Sequence, residues 1–269
     1  RLIPGSHLIV PRLYEGEQAY ILQNEDKRIV FCIPYLDRFT LIGTTDREYS
    51  GDPSKVAITE QETDYLLNVV NAHFNHQLSR SDIYSTYAGV RPLCNDESDN
   101  PSAVTRDYTL ALSGTAGEAP LLSVFGGKLT TYRKLAESAM AELKPFFSAM
   151  RGSWTASATL PGGESMTTPH ALEQALLARH GWLAPAIAKR WALTYGSRAW
   201  LLLEGAEGPQ DLGQPIGAGL FTREVDYLRE HEWAVSADDI LWRRTKLGLF
   251  TTQAEQRALA DYLQHVSMQ

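Results

Sequence analysis

The sequence has few cysteines, no long hydrophobic run and no excess of basic residues. Its two cysteines, Cys32 and Cys94, cannot form a disulfide framework, and their flanks lack metal-ligand spacing, which favours a reducing compartment. No segment approaches the roughly 18 consecutive apolar residues that a transmembrane helix needs. With 25 Lys and Arg against 32 Asp and Glu, the net charge is −7. A non-specific nucleic-acid binder, which needs a dense basic surface, is therefore not expected.

The sequence also lacks an initiator Met and the charged and apolar regions of a signal peptide, since it opens on RLIP. We therefore expect the chain to be part of a longer protein. Its 269 residues, 43% of them hydrophobic, exclude a disordered chain and suffice for one large domain or two smaller ones.

The first half of the chain has the pattern of a mixed α/β domain. Thr59 and Glu62 form a capping box before apolar residues at helical spacing, which predicts a helix over about 59–75. Short runs rich in β-branched and aromatic residues predict antiparallel strands, with turns at Asp26-Lys27 and Asp37-Arg38. These runs cover residues 7–10, 19–22, 28–33, 39–42, 83–90, 104–112 and 121–125.

The period of the apolar residues changes near residue 128. A helical face begins at Leu129 and ends at Pro145, and a Pro-Gly-Gly linker follows at 161–163. After the linker nearly every segment is helical, which predicts an all-helical second domain. The predicted helices cover residues 171–179, 184–195, 222–232, 237–245 and 253–266.

The segment LLSVFGGKLTT at 121–131 predicts a buried strand, a double-glycine turn and the start of a helix. Gly126 and Gly127 allow positive φ and the close approach of a ligand to the backbone. The helix start favours an anion, and Lys128 adds a full positive charge. An ordinary strand-to-helix turn, with glycines for close packing, is the alternative.

Two further side chains have the chemistry of an active site. Arg91 follows a strand in YAGVRPL, and its guanidinium suits phosphate or carboxylate. Its alternative role is an ion pair with Asp96, Glu97 or Asp99. His7 precedes an apolar strand and could act as a general base, although a structural or exposed histidine is the more common case.

Two other patterns do not indicate binding sites. His73 and His76 lie three residues apart on the predicted helix, but no acidic or cysteine partner accompanies them at helical spacing, so no metal site is expected. The IGAG stretch at 216–219 lacks the third glycine and the preceding strand of a dinucleotide fingerprint.

Read together, these segments resemble the flavin-dependent sn-glycerol-3-phosphate dehydrogenases, a family of the D-amino-acid oxidase-like superfamily. The resemblance spans essentially the whole chain. The matching stretches are GSH at 5–7, AYILQNEDKRIVFCI at 19–33, IGTTD at 42–46, YAGVRPL at 87–93, TRDY at 105–108, LLSVFGGKLTTYR at 121–133, HEW at 231–233, DD at 238–239 and LWRRTK at 241–246.

The resemblance implies an α/β fold followed by an all-helical C-terminal domain. Residues 1–150 would form the substrate-binding sheet and the last strand-turn-helix of the FAD domain, residues 151–164 a linker and residues 165–269 the helical domain. The family begins with a Rossmann unit whose G-x-G-x-x-G turn holds the FAD pyrophosphate, and this sequence has no such turn. We therefore expect the isolated chain neither to retain FAD nor to turn over.

The resemblance also implies roles for individual residues. Gly126, Gly127, Lys128, Leu129 and Thr130 would contact FAD and stabilise negative charge that develops on it. The residues at the substrate would be Arg91 and Lys128 for its phosphate or reacting oxygens, His7 for the C2 hydroxyl proton, and Arg106 as a weaker contact.

The reaction that the resemblance implies is oxidation of sn-glycerol 3-phosphate to dihydroxyacetone phosphate, with electrons passed to a membrane quinone. The protein would then be cytoplasmic and peripherally associated with the inner membrane; homodimer formation stays open. The alternatives are a glycerol-3-phosphate or amino-acid oxidase that uses oxygen, and a non-catalytic interaction module.

Overall fold

The chain folds into two compact units, residues Arg1–Ala156 and Ser157–Gln269. The structure is a computed structural model and describes residues 2–92, 108–114, 118–164 and 168–267. Each unit has a hydrophobic core of its own.

The first unit is built on a five-stranded sheet with the strand order β2-β3-β4-β1-β5. Every neighbouring pair is antiparallel, as the short alternating runs of the sequence predict. Strand β1 pairs with β4 on one side and with the edge strand β5 on the other. The strands are β1 (Leu2–Pro11), β2 (Tyr20–Gln23), β3 (Ile29–Tyr35), β4 (Phe39–Gly43) and β5 (Ser85–Pro92).

One face of this sheet is covered by the helix α1 (Glu60–His73). The predicted capping box is present: Thr59 accepts a hydrogen bond from the Glu62 backbone, and Glu62 accepts one from the Thr59 backbone. Leu66 and Val70 of the helix pack with Leu8 and other buried residues of the strands. The opposite face of the sheet carries the candidate site.

The first unit also contains a β-hairpin followed by a helix. The strands β6 (Tyr108–Ser113) and β7 (Leu121–Gly126) pair antiparallel. One 3₁₀ turn then precedes α2 (Tyr132–Leu143). The chain therefore enters the helix from the double-glycine turn, as the sequence predicts. The prediction that the strand before this turn is buried is wrong, because Leu121, Val124 and Phe125 of β7 are exposed.

The second unit is mainly helical and is packed around the fully buried Trp191. Four of its helices lie within a few residues of the predicted ranges. Its α-helices are α3 (Pro169–Arg179), α4 (Pro185–Tyr195), α5 (Ala199–Leu202), α6 (Thr222–Glu232) and α7 (Gln253–Ser267).

The second unit differs from the prediction in three places, the first of which is the short helix α5 that the sequence pattern does not predict. The IGAG stretch belongs to a small hairpin of β8 (Pro215–Gly217) and β9 (Leu220–Phe221). Its two-residue turn has positive φ at Ala218 and at Gly219, the geometry that a tight hairpin requires. In addition, the helix predicted over 237–245 contains a π-helical segment, Asp239–Arg244.

Candidate active site

The open face of the five-stranded sheet brings together residues from three strands. His7 of β1 lies opposite Tyr87 of β5 and opposite Gly43 of β4. Residues that lie directly opposite each other in antiparallel strands share a face. Because side chains alternate along a strand, the neighbouring Leu8 points to the other face and enters the core beneath α1.

The imidazole of His7 lies between an aromatic ring and a glycine. Its ring stacks on Tyr87, with the centroids 4.6 Å apart and an angle of 6° between the planes. The Cδ2 atom of the ring lies so close to Gly43 that a β-carbon at position 43 would be 2.3 Å from it. A glycine at this position is therefore needed for the ring to lie flat on the sheet.

The His7 ring is suited to accepting a proton. Burial, and then the positive charge of Arg91, lower the pKa of His7 below its ordinary value. Its Nδ1 is buried and has no hydrogen-bond partner within the described ranges. A neutral imidazole at neutral pH is the form that a general base requires.

Arg91 lies near the end of β5, and its guanidinium is held on the sheet face by residues that follow β4. It forms an ion pair with Asp46, and its Nη2 lies 3.4 Å from Oγ1 of Thr44. A β-carbon at Gly5 would lie 2.6 Å from this Nη2, so the glycine makes room for the guanidinium. About 30% of the Arg91 side chain remains exposed.

Asp46 is the partner that the sequence did not indicate. The alternative partners of Arg91 in the sequence, Asp96, Glu97 and Asp99, lie outside the described residues. Asp46 is 45 positions from Arg91 in sequence, and only the register of β1 with β4 and β5 brings the two together.

A buried hydrogen-bond network lies on the other side of β1. Glu62 accepts hydrogen bonds from the hydroxyls of Ser6 (2.9 Å) and Thr45 (2.5 Å), and from Nε of Arg47 (3.2 Å). Burial raises the pKa of the Glu62 carboxyl, but its hydrogen bonds, first of all that from Thr45, outweigh burial and leave the pKa below its ordinary value. Glu62 is therefore a fully engaged carboxylate next to the site.

The Gly-Gly-Lys turn presents its backbone at the surface. Gly126 and Gly127 have φ of +76° and +105°, which side chains rarely adopt. Lys128, Leu129 and Thr130 are exposed, and Leu129 is 88% exposed. This open backbone, free of β-carbons and followed by a helical turn, fits the close approach of a flavin edge.

The remaining predicted site residues, Lys128 and Arg106, are not seen to contact His7 or Arg91 in the described part of the chain. No hydrogen bond or ion pair joins Lys128 to His7 or Arg91 among the described residues. Arg106 lies outside the described residues. His73, for which no metal site is expected, ends α1, where its Nδ1 lies 2.8 Å from the carbonyl oxygen of Val69.

In the described ranges, no group of three His, Cys, Asp or Glu side chains could hold a metal ion. No helix in the same ranges is both long enough and apolar enough to cross a membrane.

Comparison with known proteins matches both halves of the chain. Residues 1–133 match the family described as FAD dependent oxidoreductase. Residues 153–268 match the family described as the C-terminal domain of alpha-glycerophosphate oxidase. A mixed α/β oxidoreductase region followed by a helical domain, the fold class predicted from the sequence, is thereby confirmed.

Three curated proteins are similar in sequence to the chain over nearly its whole length. The chain is 66% identical over 264 residues to a glycerol-3-phosphate dehydrogenase of Pseudomonas aeruginosa, covering 98% of this chain and 52% of the relative. It is 52% identical to the aerobic glycerol-3-phosphate dehydrogenase of Escherichia coli, covering 100% of this chain and 54% of the relative. It is 44% identical to the D-erythritol 1-phosphate dehydrogenase of Brucella abortus, covering 100% of this chain and 53% of the relative.

A solved structure is also similar to the chain. The glycerol-3-phosphate dehydrogenase of Bacillus halodurans, crystallised with FAD, is similar with a TM-score of 0.75 and 27% identity, covering 98% of this chain and 56% of that one. The chain spans about half the length of the curated relatives it matches. Over its own length, the chain belongs to the FAD-dependent glycerol-3-phosphate dehydrogenase family.

Proposed function

We propose that this chain supplies the substrate-binding sheet of an enzyme that oxidises sn-glycerol 3-phosphate to dihydroxyacetone phosphate. The observation that carries the proposal is the seating of His7 and Arg91 on one sheet face, each above a glycine that makes room for it. A proton acceptor and an anion-binding guanidinium on one face match a substrate with an alcohol and a phosphate.

Arg91 binds the phosphate or the oxygens at the reacting end of the substrate in this proposal. The ion pair with Asp46 and the contact with Thr44 hold the guanidinium in one orientation, and the exposed part of the side chain can still donate hydrogen bonds. Arg106 is proposed as a second, weaker contact with the substrate.

His7 accepts the proton of the C2 hydroxyl. Its lowered pKa keeps the ring neutral at neutral pH, and the stack on Tyr87 fixes the plane of the ring. A bound FAD, held at the turn from Gly126 to Thr130, would supply the acceptor for the hydrogen and the electron pair that leave C2. The base and the electron acceptor therefore remove the two hydrogens of the alcohol separately.

The turn from Gly126 to Thr130 is proposed to contact FAD. The left-handed glycines leave the backbone open, and the N–H groups at the start of the helical turn favour the negative charge of the reduced cofactor. Lys128, which is exposed next to these glycines, adds a positive charge for the cofactor or the substrate.

The electron acceptor separates the proposed dehydrogenase from a second candidate, an oxidase. We favour a membrane quinone, reached by peripheral association with the bilayer. The match of residues 153–268 to a domain of alpha-glycerophosphate oxidase supports the alternative, oxygen. In both cases the product is dihydroxyacetone phosphate.

One assay tests both parts of the proposal. The FAD-loaded enzyme to which this chain is proposed to belong is given glycerol 3-phosphate under air, with and without a soluble quinone analogue, and dihydroxyacetone phosphate and hydrogen peroxide are measured. We expect ketone formation that depends on the quinone analogue. Peroxide formed in equal amount to the ketone would identify an oxidase, and no ketone at all would refute the activity.

We predict that the 269-residue chain, produced alone, retains FAD weakly or not at all. It has the turn proposed for the flavin edge but no G-x-G-x-x-G turn for the pyrophosphate, which supplies much of the binding. Gel filtration with added FAD, followed by flavin absorbance of the protein peak, measures this. Co-elution of one FAD per chain would contradict the prediction.

A further inference from the structure

Glu62 is a buried carboxylate whose two oxygens serve different parts of the chain. Its Oε2 accepts hydrogen bonds from the backbone N–H and the hydroxyl of Thr59, both 2.9 Å, as a capping box requires. Its Oε1 accepts hydrogen bonds from the hydroxyls of Ser6 and Thr45, which are distant in sequence. Helix capping explains the contacts of Oε2 with Thr59, but it explains neither the hydrogen bond that Oε2 accepts from Nε of Arg47 (3.2 Å) nor the contacts of Oε1.

Ser6 and Thr45 each immediately precede a residue of the candidate site. Ser6 is followed by His7, and Thr45 is followed by Asp46, the ion-pair partner of Arg91. The backbone N–H of Ser6 also donates to Oγ1 of Thr45 at 3.1 Å. The two segments are therefore linked both directly and through Glu62.

We propose that Glu62 is a positioning residue for the active site, acting from the opposite side of the sheet. By holding Ser6 and Thr45 together, it fixes the separation between His7 and the Asp46–Arg91 pair. Glu62 itself has no part in binding the substrate. The kinetic consequence rests on the function proposed above, whereas the structural consequence for His7 does not.

The test variants weaken the hydrogen bonds that join Glu62 to Ser6 and Thr45, and they are chosen to disturb the capping box as little as possible. Thr45→Val keeps the shape of the side chain but removes its hydrogen bonds with Glu62 and Ser6. Its control is Thr63→Val, at a buried threonine of α1 whose hydroxyl donates to the nearby Thr59 carbonyl and, among the described residues, to no other group. Both changes remove one buried hydroxyl.

Glu62→Gln tests the carboxylate directly. Its control is Glu255→Gln, because Glu255 accepts the same two capping hydrogen bonds, from the N–H and the hydroxyl of Thr252, at 2.7 and 2.9 Å. The control thus loses an equivalent capping carboxylate in the second unit. If Glu62→Gln does not fold, Ser6→Ala removes one hydrogen bond of the same oxygen and takes its place.

The first readout is the NMR spectrum of the His7 ring in the 269-residue chain, without FAD or substrate. Stacking on Tyr87 shifts the ring protons away from the values of a free histidine. We expect Thr45→Val and Glu62→Gln to move the His7 resonances toward the free values. The variants Thr63→Val and Glu255→Gln should leave them in place.

The second readout is kcat/KM for glycerol 3-phosphate in the FAD-loaded enzyme to which this chain is proposed to belong. Misplacing a reacting group by about 1 Å lowers a rate by up to about 10²-fold, so we expect a fall of roughly 10- to 100-fold for Thr45→Val and Glu62→Gln. Wild-type His7 resonances and wild-type kcat/KM in both variants, with melting temperatures lowered as in the controls, would overturn the proposal. A wild-type protein inactive on glycerol 3-phosphate would refute the proposed function alone, and the NMR result would still decide the role of Glu62.

Discussion

At the scale of single residues, Gly43 and Gly5 allow two large polar side chains to lie flat on a sheet. A β-carbon at position 43 would lie 2.3 Å from the His7 ring, and one at position 5 would lie 2.6 Å from the Arg91 guanidinium. Glycine inside a strand weakens the strand, and a close approach of another group is one reason to find it there. Here the groups that approach are those proposed for catalysis and substrate binding.

We predict that Gly43→Ala displaces the His7 ring and lowers kcat/KM for glycerol 3-phosphate by about 10-fold or more, since the methyl group occupies the position of the ring edge. The matched control is Gly89→Ala, because a β-carbon at Gly89 meets no atom within 4 Å. Steady-state kinetics on both variants measure the difference. Equal activity of the two variants would show that the position of His7 does not matter.

The titration of His7 makes the stability of the protein depend on pH. Its pKa is lowered in the folded state, so the unfolded chain binds more protons between the folded pKa and about 6.5. The free energy of unfolding therefore decreases as the pH falls through about 6.5, and His7 contributes no further change below its folded pKa.

We predict that His7→Gln removes this part of the pH dependence. Melting temperatures measured between about pH 8 and about pH 5 should fall less steeply for His7→Gln than for the wild-type protein. Parallel curves for wild-type and His7→Gln would contradict the lowered pKa.

The sequence indicates the candidate residues of the site better than it indicates their partners. His7 and Arg91 stand out because each has reactive chemistry beside a strand. Asp46 does not, since its role depends on the pairing of β1 with two other strands. Glu62 is recognisable only as part of a capping box, because a local pattern cannot show that its second oxygen binds Ser6 and Thr45.

At the scale of secondary structure, elements with a strong local signal form where the sequence predicts them. The capping box of Thr59 and Glu62 starts α1, and the alternating runs form the antiparallel sheet. The hairpin at 215–221 escapes prediction because its strands are only three and two residues long. The π-helical segment Asp239–Arg244 has the same apolar spacing as a short α-helix, so periodicity does not separate the two.

The second unit depends on an ion pair between two helices. Glu224 of α6 is fully buried and accepts hydrogen bonds from Arg190 of α4 at 2.5 and 2.7 Å and from the hydroxyl of Tyr195 at 2.6 Å. Arg190 also donates to the carbonyl of Gly219 in the small hairpin. This network therefore connects α4, α6 and the hairpin.

We predict that Glu224→Ala lowers the free energy of unfolding by about 3–5 kcal/mol, because it leaves the partly buried Arg190 without its charge partner. Glu230→Ala on the exposed side of the same helix is the control and should change it by at most about 0.5 kcal/mol. Urea unfolding of both variants measures the change. A small effect of Glu224→Ala would mean that water replaces the carboxylate at little cost.

At the scale of the whole molecule, the chain contains the sheet that carries His7 and Arg91 and a separate helical unit. It spans about half the length of its curated relatives, which include dehydrogenases of two different phosphorylated polyols. The substrates in the names of these relatives, glycerol 3-phosphate and D-erythritol 1-phosphate, both carry a phosphate. The central claim of our account is therefore that Arg91 recognises the phosphorylated substrate and is more than a structural partner of Asp46.

The measurement that tests this claim most directly is kcat/KM for glycerol 3-phosphate with the Arg91→Lys variant of the FAD-loaded enzyme to which this chain is proposed to belong. Lysine keeps the charge but loses the planar two-point contact, and losing a charge-assisted hydrogen bond costs roughly 1.5–3 kcal/mol. We expect kcat/KM to fall by about 10- to 100-fold. The control Arg80→Lys replaces an arginine that holds Asp64 at two points, both 2.9 Å, on the exposed side of α1, and it should keep full activity. Wild-type kcat/KM for Arg91→Lys, together with a lowered melting temperature, would contradict the account and make Arg91 a structural residue.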